Sequence, residues 1–172
     1  LLALTLVTGM TMGTVDMAQA QATDGPSSLT ETYGDWIVRC VTPQAVEGQA
    51  APARVCEMTQ ELRQRESNQR VLAVALQSTD AGASLTLVAP FGLLLDAGLK
   101  VAVDEAALTE GRFKTCLPGG CVSVIELAVN GLDKFAAGDT ATVTLRDTSN
   151  QDIALNVSLA GFTAAWNRLK GL

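Results

Sequence analysis

Four cysteines in two close pairs restrict the fold of this chain more than any other feature. Cys40 and Cys56 bracket a loop that contains proline and glycine, and Cys116 and Cys121 bracket Pro118-Gly119-Gly120. In an oxidising compartment such pairs persist as disulfides, whereas in the cytosol they would first indicate a metal site or a redox site. The interpretation of the cysteines therefore depends on the compartment.

The first twenty residues have the pattern of a cleavable export signal. Leu1 to Val7 is almost wholly apolar, no charged residue occurs before Asp16, and Ala18-Gln19-Ala20 is an Ala-x-Ala cleavage site. A retained membrane anchor would need about 20 predominantly apolar residues, and Thr, Gly and Asp16 interrupt that length. We therefore predict a signal peptide over residues 1–20, no membrane segment after its removal, and a protein that is periplasmic, secreted or associated with the outer envelope.

The remaining residues suit a single domain with little scope for catalysis. Removing 20 of the 172 residues leaves a chain long enough to bury its own core. Residues 21–32 begin with a polar stretch rich in glycine, proline and serine, so they are predicted to be a flexible leader to a domain at 33–172. The net charge of −6, without a basic stripe, argues against nucleic acid as a partner. The chain has no histidine, and we predict no catalytic site, no cofactor and no metal ion.

Short apolar runs that end in turn signals predict an all-β domain. Residues 36–40 alternate apolar and polar side chains, and 70–77 is an almost unbroken apolar run. Further strands are predicted at 54–62, 85–88, 99–103, 111–117, 121–127, 140–146 and 153–159. Residues 104–110 show no clear pattern. About eight to ten short strands without helix-length segments between them indicate a β-sandwich or a partly open barrel.

Two segments have helical spacing instead. A short helix is predicted near 130–137, ended by Gly138, because its apolar residues recur at helical intervals. The last segment, 161–172, carries four apolar residues on one face and is predicted to be a C-terminal amphipathic helix. Trp36 and Trp166 each lie on an apolar stripe, so core packing is expected for both.

Several of these residues together resemble one known family. The similar segments are Tyr33-Gly34-Asp35-Trp36-x-x-x-Cys40, Cys56-Glu57-Met58-x-Gln60, Pro90-Phe91-Gly92, Cys116-x-x-x-Gly120-Cys121 and Val157-Ser158-Leu159-x-Gly161-Phe162-Thr163-Ala164-Ala165. They resemble the invasion-associated locus B (IalB) family of exported alphaproteobacterial proteins, over about residues 33–169. The resemblance implies an envelope protein, associated in some pathogens with invasion of host cells, and it implies no catalytic residues. The long segment at 42–53 departs from the tighter members.

The cysteines are interpreted as two structural disulfides, Cys40–Cys56 and Cys116–Cys121. Four cysteines allow three connectivities, and local closure is favoured because the strands that flank a hairpin loop lie close enough to be bridged. The alternative is a thiol-exchange site at Cys116 and Cys121, which lacks the C-x-x-C spacing and a helix N-terminus. A zinc site would need reduced thiolates, which an oxidising compartment opposes.

One apolar segment is a candidate for contact with a partner. This contact loop consists of Pro90, Phe91, Gly92, Leu93, Leu94 and Leu95. Three consecutive leucines cannot all face inward from one strand, so at least one is exposed or covered by another element. Coverage by the predicted helix at 132–137, or burial on both faces, is the alternative, because buried strands also show apolar runs. An exposed apolar patch would mark an interaction site.

Three functions are compatible with these features. The first is a non-catalytic exported protein that acts by contact with another protein in the envelope or on a host surface. The second is a periplasmic thiol-redox protein that uses Cys116 and Cys121, and the third is an envelope chaperone or assembly factor that offers a sheet edge to clients. The export signal, the missing histidine and the family resemblance favour the first.

Overall fold

The structure, a computed structural model, describes residues 28–44, 48, 50 and 52–172. Within these residues the chain forms eleven strands and two α-helices. The strands are β1 Ser28–Tyr33, β2 Trp36–Val41, β3 Val55–Arg63, β4 Arg70–Thr79, β5 Gly82–Ala89, β6 Leu99–Val103, β7 Ala106–Gly111, β8 Phe113–Leu117, β9 Gly120–Ala128, β10 Thr140–Arg146 and β11 Asp152–Ser158, and the helices are α1 Val129–Ala137 and α2 Phe162–Lys170. The predicted signal peptide and residues 21–27 of the predicted leader lie outside the described residues.

The strands form two antiparallel sheets that share one core. The larger sheet has the order β1-β2-β3-β4-β5-β9-β8, and the smaller has the order β11-β10-β6-β7. Alternate side chains point between the sheets, as a half-buried strand requires. Val74 and Leu87 of the larger sheet and Val143 of the smaller are almost fully buried in the same cluster. The all-β prediction is confirmed, and the architecture is a sandwich.

Both helices contribute buried aromatic rings to this core. The Phe162 ring of α2 meets the Trp36 ring edge to face, with centroids 5.4 Å apart, and lies 5.3 Å from the Phe135 ring of α1. Such pairs add roughly 0.5–1.5 kcal/mol beyond burial of their area. Helix α1 ends where Gly138 donates its N–H to the Lys134 carbonyl. Both predicted helices and the predicted burial of Trp36 and Trp166 are therefore confirmed.

The structure differs from the sequence-based expectation at two strands. Residues 28–32, predicted to belong to a flexible leader, form most of β1 and pair with β2. Glu31 stands at a half-buried position of β1, which broke the apolar alternation. Strand β7 was not expected, because the turn that joins it to β6 lacks the usual sequence signal. Asp104 and Glu105 form this turn with φ of 46° and 68°, whereas Asn-Gly or Asp-Gly is typical of that geometry.

Candidate functional site

The contact loop passes from the larger sheet to the smaller one and is fixed there by its backbone. Leu93 pairs with Asp147 as an isolated antiparallel bridge. The Leu94 N–H donates to the Arg146 carbonyl at 2.9 Å, and the Thr148 N–H donates to the Gly92 carbonyl at 3.2 Å. Three consecutive residues in the middle of the loop are thus held against the end of β10 and the turn that follows it, so the middle of the loop is anchored.

The apolar side chains of this loop divide between the core and the solvent. Leu93 is buried, with 9% of its surface exposed, whereas Phe91 is 61% exposed and Leu95 is 42% exposed. The expectation that at least one leucine would face outward is met at Leu95. Neither Phe91 nor Leu95 is covered by α1, which was the alternative. A role of the loop in binding a partner remains a prediction.

The four cysteines lie in strands, in the two pairs that were predicted. Cys40 stands opposite Cys56 in β2 and β3, and Cys116 stands opposite Cys121 in β8 and β9. The Sγ atoms are 2.04 Å apart in the first pair and 1.99 Å apart in the second. Both pairs are therefore at disulfide distance, and neither stands at a helix N-terminus, where a thiolate would be stabilised.

The side chain of Gln60 joins the two sheets at an edge. Its Nε2 donates to the Ser158 carbonyl at 3.0 Å, and its Oε1 accepts from the Ser158 N–H at 3.1 Å. The indole N–H of Trp36 donates to the same carbonyl at 3.0 Å. Gln60 therefore pairs with β11 as a neighbouring strand would, and it satisfies backbone groups that an edge strand otherwise leaves to water.

Next to Gln60, the turn between β1 and β2 packs directly on the chain that enters α2. The Asp35 N–H donates to the Ala160 carbonyl at 3.1 Å. Gly34 and Gly161 face each other across this contact with φ of 58° and 87°. We call the contact among Tyr33–Asp35, Gln60, Ser158 and Ala160–Phe162 the sheet–helix corner. It brings together three of the segments that carry the family resemblance.

The comparisons with known proteins decide that resemblance. The sequence profile described as Invasion associated locus B (IalB) protein matches residues 36–170. The chain belongs to this family. An invasion protein B homolog of Brucella abortus (strain 2308) is 33% identical over 150 residues, which are 86% of this chain and 83% of that protein. Invasion protein B of Bartonella bacilliformis is 33% identical over 156 residues, with 87% of this chain and 78% of that protein covered.

A solved structure confirms the fold of this IalB chain. The crystal structure of invasion associated protein b from Bartonella henselae superimposes with a TM-score of 0.71 at 31% sequence identity. The match covers 83% of this chain and 95% of that chain. The family carries the name of an invasion protein rather than that of an enzyme.

Substitution of Gln60 tests whether the sheet–helix corner stabilises the fold of this IalB chain. Gln60→Leu leaves the Ser158 N–H without its side-chain acceptor, and we expect the free energy of unfolding to fall by about 2 kcal/mol. Urea unfolding followed by tryptophan fluorescence measures the change. Gln69→Leu, in the exposed turn between β3 and β4, is the matched control and should change stability by about 0.5 kcal/mol or less. Equal effects of the two substitutions would contradict the pairing of Gln60 with β11.

An ion pair ties α2 of the IalB domain to the edge strand β1. Arg168 donates to both carboxylate oxygens of Glu31, from Nε at 2.6 Å and from Nη2 at 3.1 Å, and the Tyr33 hydroxyl donates to Glu31 at 3.0 Å. The hydrogen bond from Arg168 holds the pKa of Glu31 below its ordinary value, although partial burial opposes it. Loss of solvent contact, together with the neighbouring Glu31, raises the pKa of Tyr33.

This ion pair predicts a specific loss of stability in acid. A carboxyl whose pKa is lower in the folded state stabilises the fold above its unfolded pKa, about 4.3 for glutamate, and loses that contribution as the pH falls through the folded pKa. Glu31→Gln should therefore unfold at a lower temperature than the unsubstituted chain near neutral pH, and the gap should close as the pH falls below that value. Circular dichroism melting curves over this pH range measure the gap in melting temperature. Arg168→Gln should show a similar gap to the unsubstituted chain near neutral pH, and that gap should also close in acid. A gap that is independent of pH would contradict the assignment of this stability to the ionised carboxylate of Glu31.

The described residues contain no group of three or more histidine, cysteine, aspartate or glutamate side chains placed to hold a metal ion. Among the same residues, neither helix has the length and apolar character needed to cross a membrane. One surface was not expected from the sequence, the outer face of the larger sheet. Its signal was the almost unbroken apolar run of β4, which suggested burial on both faces of a strand.

Proposed function

We propose that this IalB chain is an exported, non-catalytic protein of the periplasm or cell envelope that acts by binding another protein through its contact loop. The exposure of Phe91 on an anchored loop carries the proposal. Aromatic side chains supply large contact areas, and a loop that is already ordered loses little conformational entropy on binding. Relatives named for invasion support a partner in the envelope or on a host surface.

Site-specific cross-linking in cells tests this function. A photoreactive phenylalanine analogue at position 91 should give an adduct with an envelope or host protein. The same analogue at Thr144, a half-buried position in β10, an inner strand of the smaller sheet, is the control for random encounter. With the photoreactive analogue kept at position 91, the additional substitution Leu95→Ala should lower the yield of the same adduct. If the analogue at position 91 gives no more adduct than the analogue at position 144, the contact function is wrong.

Two of the four edge strands, β8 and β11, carry features that oppose the chaperone alternative. Strand β8 has five residues, carries Lys114, and is irregular between Phe113 and Thr115. Strand β11 is paired at Ser158 by the side chain of Gln60. Short length, lysine, bulges and covered backbone groups are the features by which proteins prevent strand addition. Contact through the loop is therefore favoured over addition of a client strand to a sheet edge.

A further inference from the structure

The outer face of the larger sheet carries small side chains at its centre. We define the flat face by its seven half-buried outward residues, which are Thr59, Ala73, Ala75, Thr86, Val88, Val122 and Val124. An antiparallel sheet with one solvated face normally places polar residues outward. These seven residues are alanine, valine and threonine, and charged residues, among them Arg39, Glu61 and Glu126, surround them on the same face. An open depression of about 500 Å³ lies over β2, β3 and β4 beside them.

The strand register arranges the outward residues in straight rows across the sheet. One row runs through Ile37, Thr59, Ala75, Thr86 and Val124, each paired with the next. The adjacent row begins with the Arg39–Glu57 pair in β2 and β3, passes Gln77, and ends with Ser84 and Glu126 in β5 and β9. Strand β4 is the middle strand of the seven. The two rows can therefore be compared across that strand.

We propose that the flat face binds a second copy of the chain, face to face, around a two-fold axis that runs along β4. Such an axis exchanges β3 with β5 and β2 with β9, because a two-fold interface uses the same surface on both copies. In the first row, Ala75 then faces Ala75 of the second copy, and Thr59 faces Thr86. Small side chains on the axis allow the spacing of about 10 Å at which sheets pack.

The charged row identifies the occupant as a second copy. The same axis places Arg39 over Glu126 of the second copy, and symmetry repeats this pair. The Ser84 hydroxyl donates to the Glu126 carboxylate at 3.1 Å and so orients it. None of the ion pairs among the described residues involves Arg39 or Glu126, so both are available. Complementary charges at fixed positions favour one partner and one register.

The area of the face fits a reversible dimer. Five strands at a spacing of about 4.8 Å, with a mean length of about eight residues at about 3.3 Å per residue, give on the order of 600 Å² per copy. Packing contacts in crystals bury less than roughly 400 Å² per partner, and standard specific interfaces bury about 800 Å². The dimer should therefore dissociate on dilution.

Sedimentation velocity on the exported, oxidised chain tests this proposal. From millimolar to micromolar concentration, the sedimentation coefficient should fall from that of a dimer to that of a monomer. Ala75→Arg places two like charges on the axis and should weaken dimerisation at least about tenfold. Ala102→Arg, also at a half-buried alanine within a strand but in the smaller sheet, is the matched control and should leave dimerisation unchanged.

A charge exchange tests the register. Arg39→Glu and Glu126→Arg should each weaken the dimer. The double variant should restore it, because the two positions exchange their charges and remain an oppositely charged pair. A chain that is monomeric throughout, a dimer that resists Ala75→Arg, or a different protein held on this face would each overturn the proposal. A negative result leaves the cross-link from position 91 unaffected, since the contact loop is a separate surface.

Discussion

Gly161→Ala is expected to lower the free energy of unfolding by roughly 3–5 kcal/mol. Gly161 has φ of 87°, and a Cβ built there would lie 2.1 Å from the Tyr33 carbonyl oxygen and 2.9 Å from the Gly34 nitrogen. These are backbone atoms of a turn that is fixed by the hydrogen bond from Asp35 to Ala160. The turn cannot retreat without breaking the sheet–helix corner.

Gly92→Ala is the matched control, because it separates the close approach from the backbone conformation. Gly92 has the same φ of 87°, and its added Cβ would meet nothing within 4 Å. Only the left-handed conformation is then penalised, at about 1–2 kcal/mol. Urea unfolding of the two variants in parallel measures the difference. Equal losses would show that the corner can relax, and would contradict the account given for Gly161.

The sheet–helix corner also explains why the family motifs did not lead to a functional site. Trp36 and Gln60 meet on the carbonyl of Ser158, and Gly34 and Gly161 allow two backbone segments to touch. These residues hold α2 and the edge strand β11 of the smaller sheet to the larger sheet. Binding is therefore expected on surfaces outside the corner, at the contact loop and on the flat face.

The elements that depend on local pattern were predicted well. Helix α1 was predicted near 130–137 and occurs at Val129–Ala137, because its apolar spacing and Gly138 are both local signals. Strand β1 could not be predicted, since its inward Glu31 is compatible with partial burial only through Arg168, which lies 137 residues further along the chain. Gln60 likewise meets Ser158 across a separation of 98 residues.

Of the two candidate surfaces, one was predicted from the local sequence and the other was not. That at least one leucine of the contact loop would not face the core followed from the alternation of strand residues, but its position did not, because the exposed Leu95 begins a 3-10 turn (Leu95–Ala97) instead of continuing a strand. The flat face did not follow, because an apolar run of residues does not say which of its two faces the rest of the chain will cover. Only the order of strands in the sheet placed β4 at the centre of the uncovered face.

Loss of the Cys40–Cys56 pair is expected to lower the free energy of unfolding by about 3 kcal/mol, and loss of Cys116–Cys121 by about 2 kcal/mol, in the chain-entropy model. The first pair closes a separation of 16 residues and the second a separation of 5, so the first restricts the unfolded chain more. Paired cysteine-to-alanine variants, unfolded in urea, measure the two losses. A larger loss for the second pair would contradict this account.

The same cysteines distinguish a structural role from the redox alternative. Structural disulfides in strands should leave no thiol for alkylation in the native protein, and intact mass should show four alkylated cysteines only after reduction and unfolding. A thiol-exchange site would instead need the exposed Cys116 to react under mild reduction while the buried Cys40 stays protected. Selective alkylation of Cys116 and Cys121 in the folded chain would therefore favour redox chemistry over contact. Equal resistance of the two pairs would assign both of them to the stability of the sandwich.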